Sequence, residues 1–330
     1  MQNLIKLLHA RQRLKKSVRN FFDERSFLEV DTPILVKCPG TELHLNYFQT
    51  QWIDHQKKKH GLWMRSSPEL ALKRAIAAGV PALYQIAPSF RNEGELGPWH
   101  HPEFTMLEFY KVGASWEEFM NLSSELIRYC IQEMSKEFTT HLSADAKLHS
   151  FTLAEAFKKF VDIDLFDRDP LLAKKARDKG VLSINGTEDF ETAFFKILLE
   201  KIEPEFAKMG WALLYDYPPS QAALARVENG VAKRFEFYIN GIELSNGFYE
   251  LLDPEENIKR VRETNKERAL MGKGVPEEDF LFYKALERGM PECFGNALGF
   301  DRLLALILGK EDLSEVIPFR EDPPFDLRGL

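Results

Sequence analysis

Between Phe90 and Tyr110 the chain reads FRNEGELGPWHHPEFTMLEFY, which scans as a strand, a polar turn and a second strand. Gly94, Gly97 and Pro98 punctuate the turn, since these residues end strands rather than continue them. The second strand alternates. Phe104, Met106, Glu108 and Tyr110 share one face, and Thr105, Leu107 and Phe109 share the other. Glu108 therefore stands among aromatic and thioether groups, where a carboxylate is costly unless a cation pairs with it. Arg91, Asn92 and Glu93 lead into the turn, and Trp99, His100 and His101 lead out of it. A charged hairpin with aromatic flanks points to a charged, planar ligand. The competing reading is an amphipathic hairpin with a solvated salt bridge.

A second hairpin is encoded by FEFYINGIELSNGFYEL, residues 235 to 251. Asn240-Gly241 between alternating runs is the strongest short-range hairpin signal. A two-residue turn pairs Ile239 with Ile242, Tyr238 with Glu243, and Glu236 with Ser245. Phe237, Ile239, Ile242 and Leu244 then form a core face. Glu236 and Glu243 become diagonal neighbours on the other face, where like charges repel unless a cation lies between them. Hard carboxylate oxygens so arranged suit Mg²⁺, especially when a nucleotide phosphate completes its shell. Two solvated glutamates are the plainer alternative. Simple alternation puts Asn246 on the core face, unless Gly247 relieves this through a bulge.

Near the C-terminus, GNALGFDRLLALILG places small residues at 295, 297 and 299 before an apolar helix. Small residues let a backbone or ligand approach closely. Arg302 falls in the first helical turn, where the dipole disfavours a cation, so it points to a phosphate. Ser67-Pro68-Glu69 reads as a helix start running to Gly79, with Glu69 complementing the dipole.

Bulk properties exclude several classes. The chain has 330 residues, 44% apolar and 29% charged, enough for a packed core without disulfide or membrane support. No apolar run is long enough to span a bilayer, and the N-terminus has no signal-peptide pattern. Cys38, Cys130 and Cys293 are widely spaced, which fits a reduced, cytoplasmic enzyme and offers no metal framework. A net charge of −7 gives no overall bias toward nucleic acid. Residues 1 to 22 are nevertheless basic (Lys6, Arg11, Arg13, Lys15, Lys16, Arg19) and amphipathic. A surface helix with a solvated face explains them, and docking of an acidic partner is the sharper alternative.

Along the chain, the first helix is expected to reach about Arg25 and to give way to extended FLEVDTPIL, because Pro33 holds Thr32 out of the helical region. A helix is expected from about Ser115 to Lys136, and a capping box at Thr152 and Glu155 starts another. Helices are expected over about 188 to 202 and a strand over Trp211 to Tyr215. Asp253-Pro254 and Val275-Pro276 read as two more helix starts. Residues 112 to 230 carry no chemical constellation.

Together these stretches resemble the three signature motifs of class II aminoacyl-tRNA synthetases: the basic helix ending in FLEVDTPIL, then FRNE…HHPEFTMLEFY, then GNALGFDRLLALILG. SSPEL precedes the second motif and ELSNGFYEL the third, in the manner of the lysyl-tRNA synthetase group. The resemblance implies an α+β fold, an antiparallel sheet flanked by helices over residues 1–330, and a homodimer joined through motif 1. Motif 1 begins near residue 17, which leaves no room for the N-terminal OB-fold anticodon-binding domain of that group. A stand-alone core is similar to the elongation factor P (R)-β-lysine ligases, a paralogous family that modifies a lysine of that factor. Ala297 stands where lysyl-tRNA synthetases have a glycine, which is consistent with preferring β-lysine over α-lysine.

By position, the resemblance implies that Arg91 holds the α-phosphate and substrate carboxylate, Glu93 the adenine amino group, and Arg302 the γ-phosphate. Phe104 stacks on adenine, and Asn92, His100, His101, Leu244 and Gly299 complete the ATP site. Glu236 and Glu243 hold Mg²⁺. Ser67, Pro68, Glu69, Glu108, Tyr110, Asn246, Glu250 and Ala297 line the lysine pocket. Arg91, Glu243 and Arg302 are the expected catalytic residues. His101 departs from the family's usual asparagine, and the turn from Glu93 to His100 is about one residue longer than the enterobacterial form. The expected activity is ATP-dependent transfer of (R)-β-lysine to a lysine of elongation factor P, with no membrane and no stable tRNA binding. The alternatives are a minimal tRNA-charging enzyme and a silent binding paralogue.

Overall fold

The structure is a computed structural model that describes residues 2–94 and 97–320. Its elements run α1 (Gln2–Asp23), β1 (Leu28–Glu29), β2 (Leu35–Val36), β3 (Gln49–Ile53), β4 (Lys59–Met64), α2 (Glu69–Ala77), β5 (Ala82–Phe90) and β6 (Glu103–Val112). Then come α3 (Trp116–Ser135), β7 (Leu148–Thr152), α4 (Leu153–Val161), α5 (Leu172–Asp178), α6 (Phe190–Ile197), α7 (Glu203–Met209) and β8 (Trp211–Tyr217). The chain ends with β9 (Val227–Glu228), β10 (Val231–Ile239), β11 (Ile242–Tyr249), α8 (Pro254–Leu270), α9 (Phe280–Glu287), β12 (Cys293–Gly299) and α10 (Phe300–Ile307).

Among the described residues one nine-stranded sheet organises the molecule, in the order β1-β5-β6-β12-β11-β10-β8-β7, with β9 on β10. Its centre is antiparallel as expected, but β1 pairs with β5 and β7 with β8 in parallel. Parallel neighbours need long crossovers, and α4 to α7 supply the second one. β2, β3 and β4 form a separate small sheet.

One face of the large sheet is mainly apolar, with buried Asn296 donating to the Ser123 hydroxyl of α3 at 2.9 Å. Leu107, Phe109, Phe235, Phe237, Leu244, Phe294 and Leu298 point into it and meet α1, α3 and α10. Helix α1 offers Ala10, Leu14, Val18, Phe21 and Phe22 at three- and four-residue spacing, all buried. Each buried phenylalanine contributes roughly 1.5–3 kcal/mol. The expected basic face of α1 is largely used inside the molecule. Arg11 pairs with buried Asp301 at 2.5 Å, Arg13 with Glu133 at 2.8 Å, and Arg19 with Glu29 at 2.9 Å. Those guanidiniums bind this chain's own carboxylates, which removes half of the surface offered to an acidic partner.

The opposite face carries two separate apolar clusters. One joins α4 to α7 with β8 and β10, and fills the region for which the sequence gave no role. The other joins α2, α8 and α9 with β5, β6 and β12. Between them the central strands bear polar side chains.

The capping boxes at Ser115 and Thr152 form with their glutamates at 118 and 155. The helices expected over about 188 to 202 form as α6 and a wide turn, Leu198–Ile202, that leads on into α7. Pro276 does not start a helix. Glu277 is drawn to Lys37 and Glu278 to Arg262, and Asp279 caps α9 instead, through the N–H groups of Leu281 and Phe282. Pro68 occupies the cap of α2 rather than its first turn, with the Ser67 hydroxyl accepting from the Glu69 N–H.

Candidate active site

Register builds the site. On β6, β12, β11 and β10, Glu108, Ala297, Asn246 and Glu236 are successive partners, so they share one rung and one face. The next rung carries Tyr110, Gly295, Phe248 and Arg234. The Asn240-Gly241 turn forms with φ of +52° and +77°, and pairs Ile239 with Ile242 and Tyr238 with Glu243 as expected. The register then shifts. Phe237 pairs with Ser245, which leaves Leu244 as an extra residue and sets Glu236 opposite Asn246, not Ser245. This bulge corrects the simple alternation: Asn246 faces the site. Leu244 is buried in the helix-side core, so only its backbone can serve a nucleotide.

On the α2 side lies an acidic pocket. Glu108 is 2% exposed, and one oxygen accepts from the Tyr110 hydroxyl at 2.8 Å. Its other oxygen has no hydrogen-bond partner among the described residues. The sequence demanded a cation beside Glu108, and none touches it. Burial pushes its carboxyl up to about 8, aided by the negative charge of Glu69. Glu250, 1% exposed, is pushed to about 7 by burial, against the pull of Lys73. Lys73, on α2, lies 2.5 Å from Glu69 and 2.6 Å from Glu250. The Glu250 contact is an ion pair without the direction of a hydrogen bond, since neither oxygen of Glu250 has a hydrogen-bond partner among the described residues. Gly295 makes the pocket possible: a Cβ there would overlap the Tyr110 ring and lie 2.6 Å from a Glu250 oxygen. Ser67 and Pro68 sit at the start of α2, two and one residues before Glu69.

On the β10–β11 side the charges are mixed. Arg302, in the first turn of α10, donates to the backbone oxygens of Trp99 and Glu243 at 3.2 and 2.7 Å, and lies 3.2 Å from His100 Nε2. Carbonyls orient a guanidinium without neutralising it, which leaves its charge for an anion. Gly299 leaves room beside the Arg302 side chain, where a Cβ would come within 3.3 Å. Arg91 lies over the Phe104 ring at 5.1 Å, and its buried Nε has no partner among the described residues. Burial raises the Glu243 carboxyl, helped by Glu236, and Arg302 opposes this.

Glu236 is less free than expected. Arg234 donates to one of its oxygens and Tyr238 to the other, both at 2.5 Å. Arg234 also reaches Asn246 at 3.3 Å. Glu203, at the start of α7, faces the same space; burial and the charges of Glu236 and Glu243 push it to about 7.

The two expected adenine contacts line different cavities, both of which Phe48 borders. Glu93 accepts from Asn46 at 2.9 Å and, with Asn92, Tyr47, Trp63 and Arg268, lines a cavity of about 540 Å³. Phe104 and His101 line another of about 510 Å³, with Arg11 and Asp301. His101 Nδ1 lies 2.6 Å from the Glu103 carbonyl, and its buried Nε2 has no partner among the described residues. The length of the preceding turn involves residues 95 and 96, which lie outside the described residues.

Sequence reasoning missed four residues. Lys73 looked like an ordinary helix lysine; its i+4 spacing from Glu69 was the available signal. Arg234 lies two residues before Glu236, on the same strand face. Glu203 was hidden in a generic Glu-Pro helix start. Glu42 comes from an irregular loop; burial and the charge of Glu69 raise it while Arg91 opposes.

Comparison with known proteins agrees with this geometry. The model of the family described as tRNA synthetases class II (D, K and N) matches residues 1–323. The chain is 38% identical over 320 residues to a protein of Avibacterium paragallinarum, covering 96% of this chain and 95% of that one. It is 36% identical over 321 residues to a Vibrio cholerae serotype O1 protein, with the same coverage. A Hamiltonella defensa protein is 36% identical over 325 residues, covering 97% and 95%. All three carry the name elongation factor P–(R)-β-lysine ligase. The chain belongs to the class II tRNA synthetase family of the D, K and N type, in the branch that includes these ligases.

Proposed function

We propose that this protein activates (R)-β-lysine with ATP and transfers it to a lysine ε-amine of elongation factor P. The observation that carries the reading is the rung Glu108–Ala297–Asn246–Glu236, which joins a buried acidic cluster to an arginine-lined anion site across four strands. The names of the relatives supply the amino acid and the acceptor.

The reaction divides into two steps. The β-lysine carboxylate attacks the α-phosphate of ATP, forming an acyl-adenylate and releasing pyrophosphate. The acceptor amine then attacks the mixed anhydride and displaces AMP. No side-chain nucleophile is needed. The chain's contribution is positioning and electrostatic: Glu69, Glu108 and Glu250 receive the two ammonium groups, while Arg91 and Arg302 face the charge that develops on phosphate. Phe104 and His101 offer an aromatic face and a free ring nitrogen to the nucleotide.

The donor set suits Mg²⁺, a hard cation that would neutralise phosphate charge when bound. Glu243 is the most available ligand, because no hydrogen bond engages its carboxylate among the described residues. Glu236 would have to share oxygens with Arg234 and Tyr238. No three-residue ligand cluster exists among the described residues, so the protein alone provides only part of a shell.

The exposed apolar residues Leu28, Ile34 and Leu35 in the motif 1 segment support a homodimer through that segment. No helix among the described residues is long and apolar enough to cross a membrane. The net charge of −7 opposes stable tRNA binding.

The test is β-lysine-dependent pyrophosphate exchange in the wild type and in Glu243→Gln. The expected result is exchange in the wild type and a loss of about a hundredfold or more in the variant, the size of a lost electrostatic contact to the transition state. No exchange in the wild type, with β-lysine and ATP saturating, would refute the reading.

A further inference from the structure

The mechanism above uses Glu69, Glu108 and Glu250 and leaves a fourth charged group in their midst without a role. Lys73 is 2% exposed, and its ammonium lies between Glu69 (2.5 Å) and Glu250 (2.6 Å). The Phe282 ring of α9 closes one side at 5.9 Å. The groups facing it are Glu69 on its own helix, Glu250 after β11, Glu108 on β6 and Cys293 on β12.

A buried ion pair is weak evidence for a stabilising role, because an apolar set of similar volume often serves as well. Charge gives a better account. Once two substrate ammonium groups draw all three carboxyls into their ionised form, they and Lys73 sum to −2, the complement of an amino acid that carries two ammonium groups. With Lys73 gone the same space would hold −3, and like charges at this spacing take up protons rather than coexist. Lys73 also spans two elements. It fixes Glu69 through helical i,i+4 spacing and Glu250 from the far side of the pocket, leaving a Glu250 oxygen unbonded.

We propose that Lys73 is the positioning residue of the amine pocket, holding Glu69 and Glu250 apart and offsetting one of the three carboxylate charges, so that the pocket matches a dicationic substrate. This rests on the reading that the pocket takes β-lysine. Lys73 touches neither the reacting carboxylate nor the phosphate, so its removal acts on amino-acid binding.

Pyrophosphate exchange in Lys73→Met, Lys73→Arg and the wild type tests this across pH 5.5–9. In Lys73→Met the β-lysine KM is expected to rise about thirtyfold, the scale of one lost charge-assisted contact. The ATP KM is expected to stay within about twofold, and the acid limb of kcat/KM for β-lysine to move to higher pH. Lys73→Arg is expected to restore most of the KM. If Lys73→Met does not fold, Lys73→Gln, which keeps a hydrogen-bond donor and drops the charge, is read in the same way. A folded neutral variant with unchanged β-lysine KM and unchanged acid limb overturns the proposal. Wild-type protein that exchanges no pyrophosphate with β-lysine refutes the substrate reading instead, so the two failures are distinguishable.

Discussion

Glu108 and Glu236 stand on the same rung of the central sheet, with β12 and β11 between them. At ordinary strand spacing they are about 14 Å apart. Glu108 is a buried carboxyl whose hydrogen-bond partner is a tyrosine and not a cation among the described residues, whereas Glu236 is engaged on both oxygens by Arg234 and Tyr238. One end of the rung therefore waits for a cation, and the other is already braced by one. That asymmetry separates amine recognition from phosphate chemistry on a single sheet face.

Glu108→Gln keeps the shape and removes the charge. The β-lysine KM should rise roughly ten- to a hundredfold, as expected for a charge-assisted contact of about 1.5–3 kcal/mol, while the ATP KM should hardly change. Steady-state pyrophosphate exchange with each substrate varied in turn measures both. Equal losses for ATP and β-lysine would place Glu108 outside the amine pocket.

Stability should fall as pH rises between about 5 and 8 in the ligand-free protein. Glu108 titrates at about 8 and Glu250 and Glu203 at about 7, above an ordinary carboxyl. Through that window the folded state keeps protons that the unfolded state has released, so each upward step favours unfolding. Glu188 and Glu200, held near 2, are ionised in both states there and add no slope. Thermal unfolding across pH should show a declining Tm, a flatter decline in Glu108→Gln, and proton release when β-lysine binds. A Tm that climbs over this range would contradict the assignment of buried, protonated carboxyls.

Gly295→Ala should damage the pocket more than the fold. Its Cβ would overlap the Tyr110 ring and press on Glu250, both of which face the amine site. Overpacking of this kind costs about 1–3 kcal/mol, visible in a denaturant titration, and the β-lysine KM should rise by an order of magnitude or more. Unchanged binding would mean that Tyr110 and Glu250 do not touch the substrate.

Ala297→Gly should move preference from β-lysine toward α-lysine. Ala297 is the partner of both Glu108 and Asn246, so its methyl forms the floor between them. A methyl difference is worth about 1–3 kcal/mol in such a pocket, enough to change the ratio of kcat/KM values ten- to a hundredfold. A ratio that does not move would remove Ala297 from the account of specificity.

The paired strands, the Asn240-Gly241 turn, the capping boxes at Ser115 and Thr152, and Glu108 on the face with Tyr110 were legible in local patterns of period two and in short turn signals. The bulge at Leu244 was not, because Leu244 reads as one more apolar residue until the partner strand shows the shift. The placement of Lys73, Arg234 and Glu203 was also hidden. Each is an ordinary charged residue in its own segment, and only long-range packing brings it to a carboxylate. Pro276 misled for the opposite reason: a good local start signal lost to ion pairs with Lys37 and Arg262.

The acceptor assay tests the central claim most directly. Purified protein with ATP and labelled (R)-β-lysine is offered elongation factor P and lysine tRNA together, and the label is followed into each. The account predicts label on a lysine of elongation factor P, little with α-lysine in place of β-lysine, and none on tRNA. Label on tRNA with elongation factor P unmodified would contradict it.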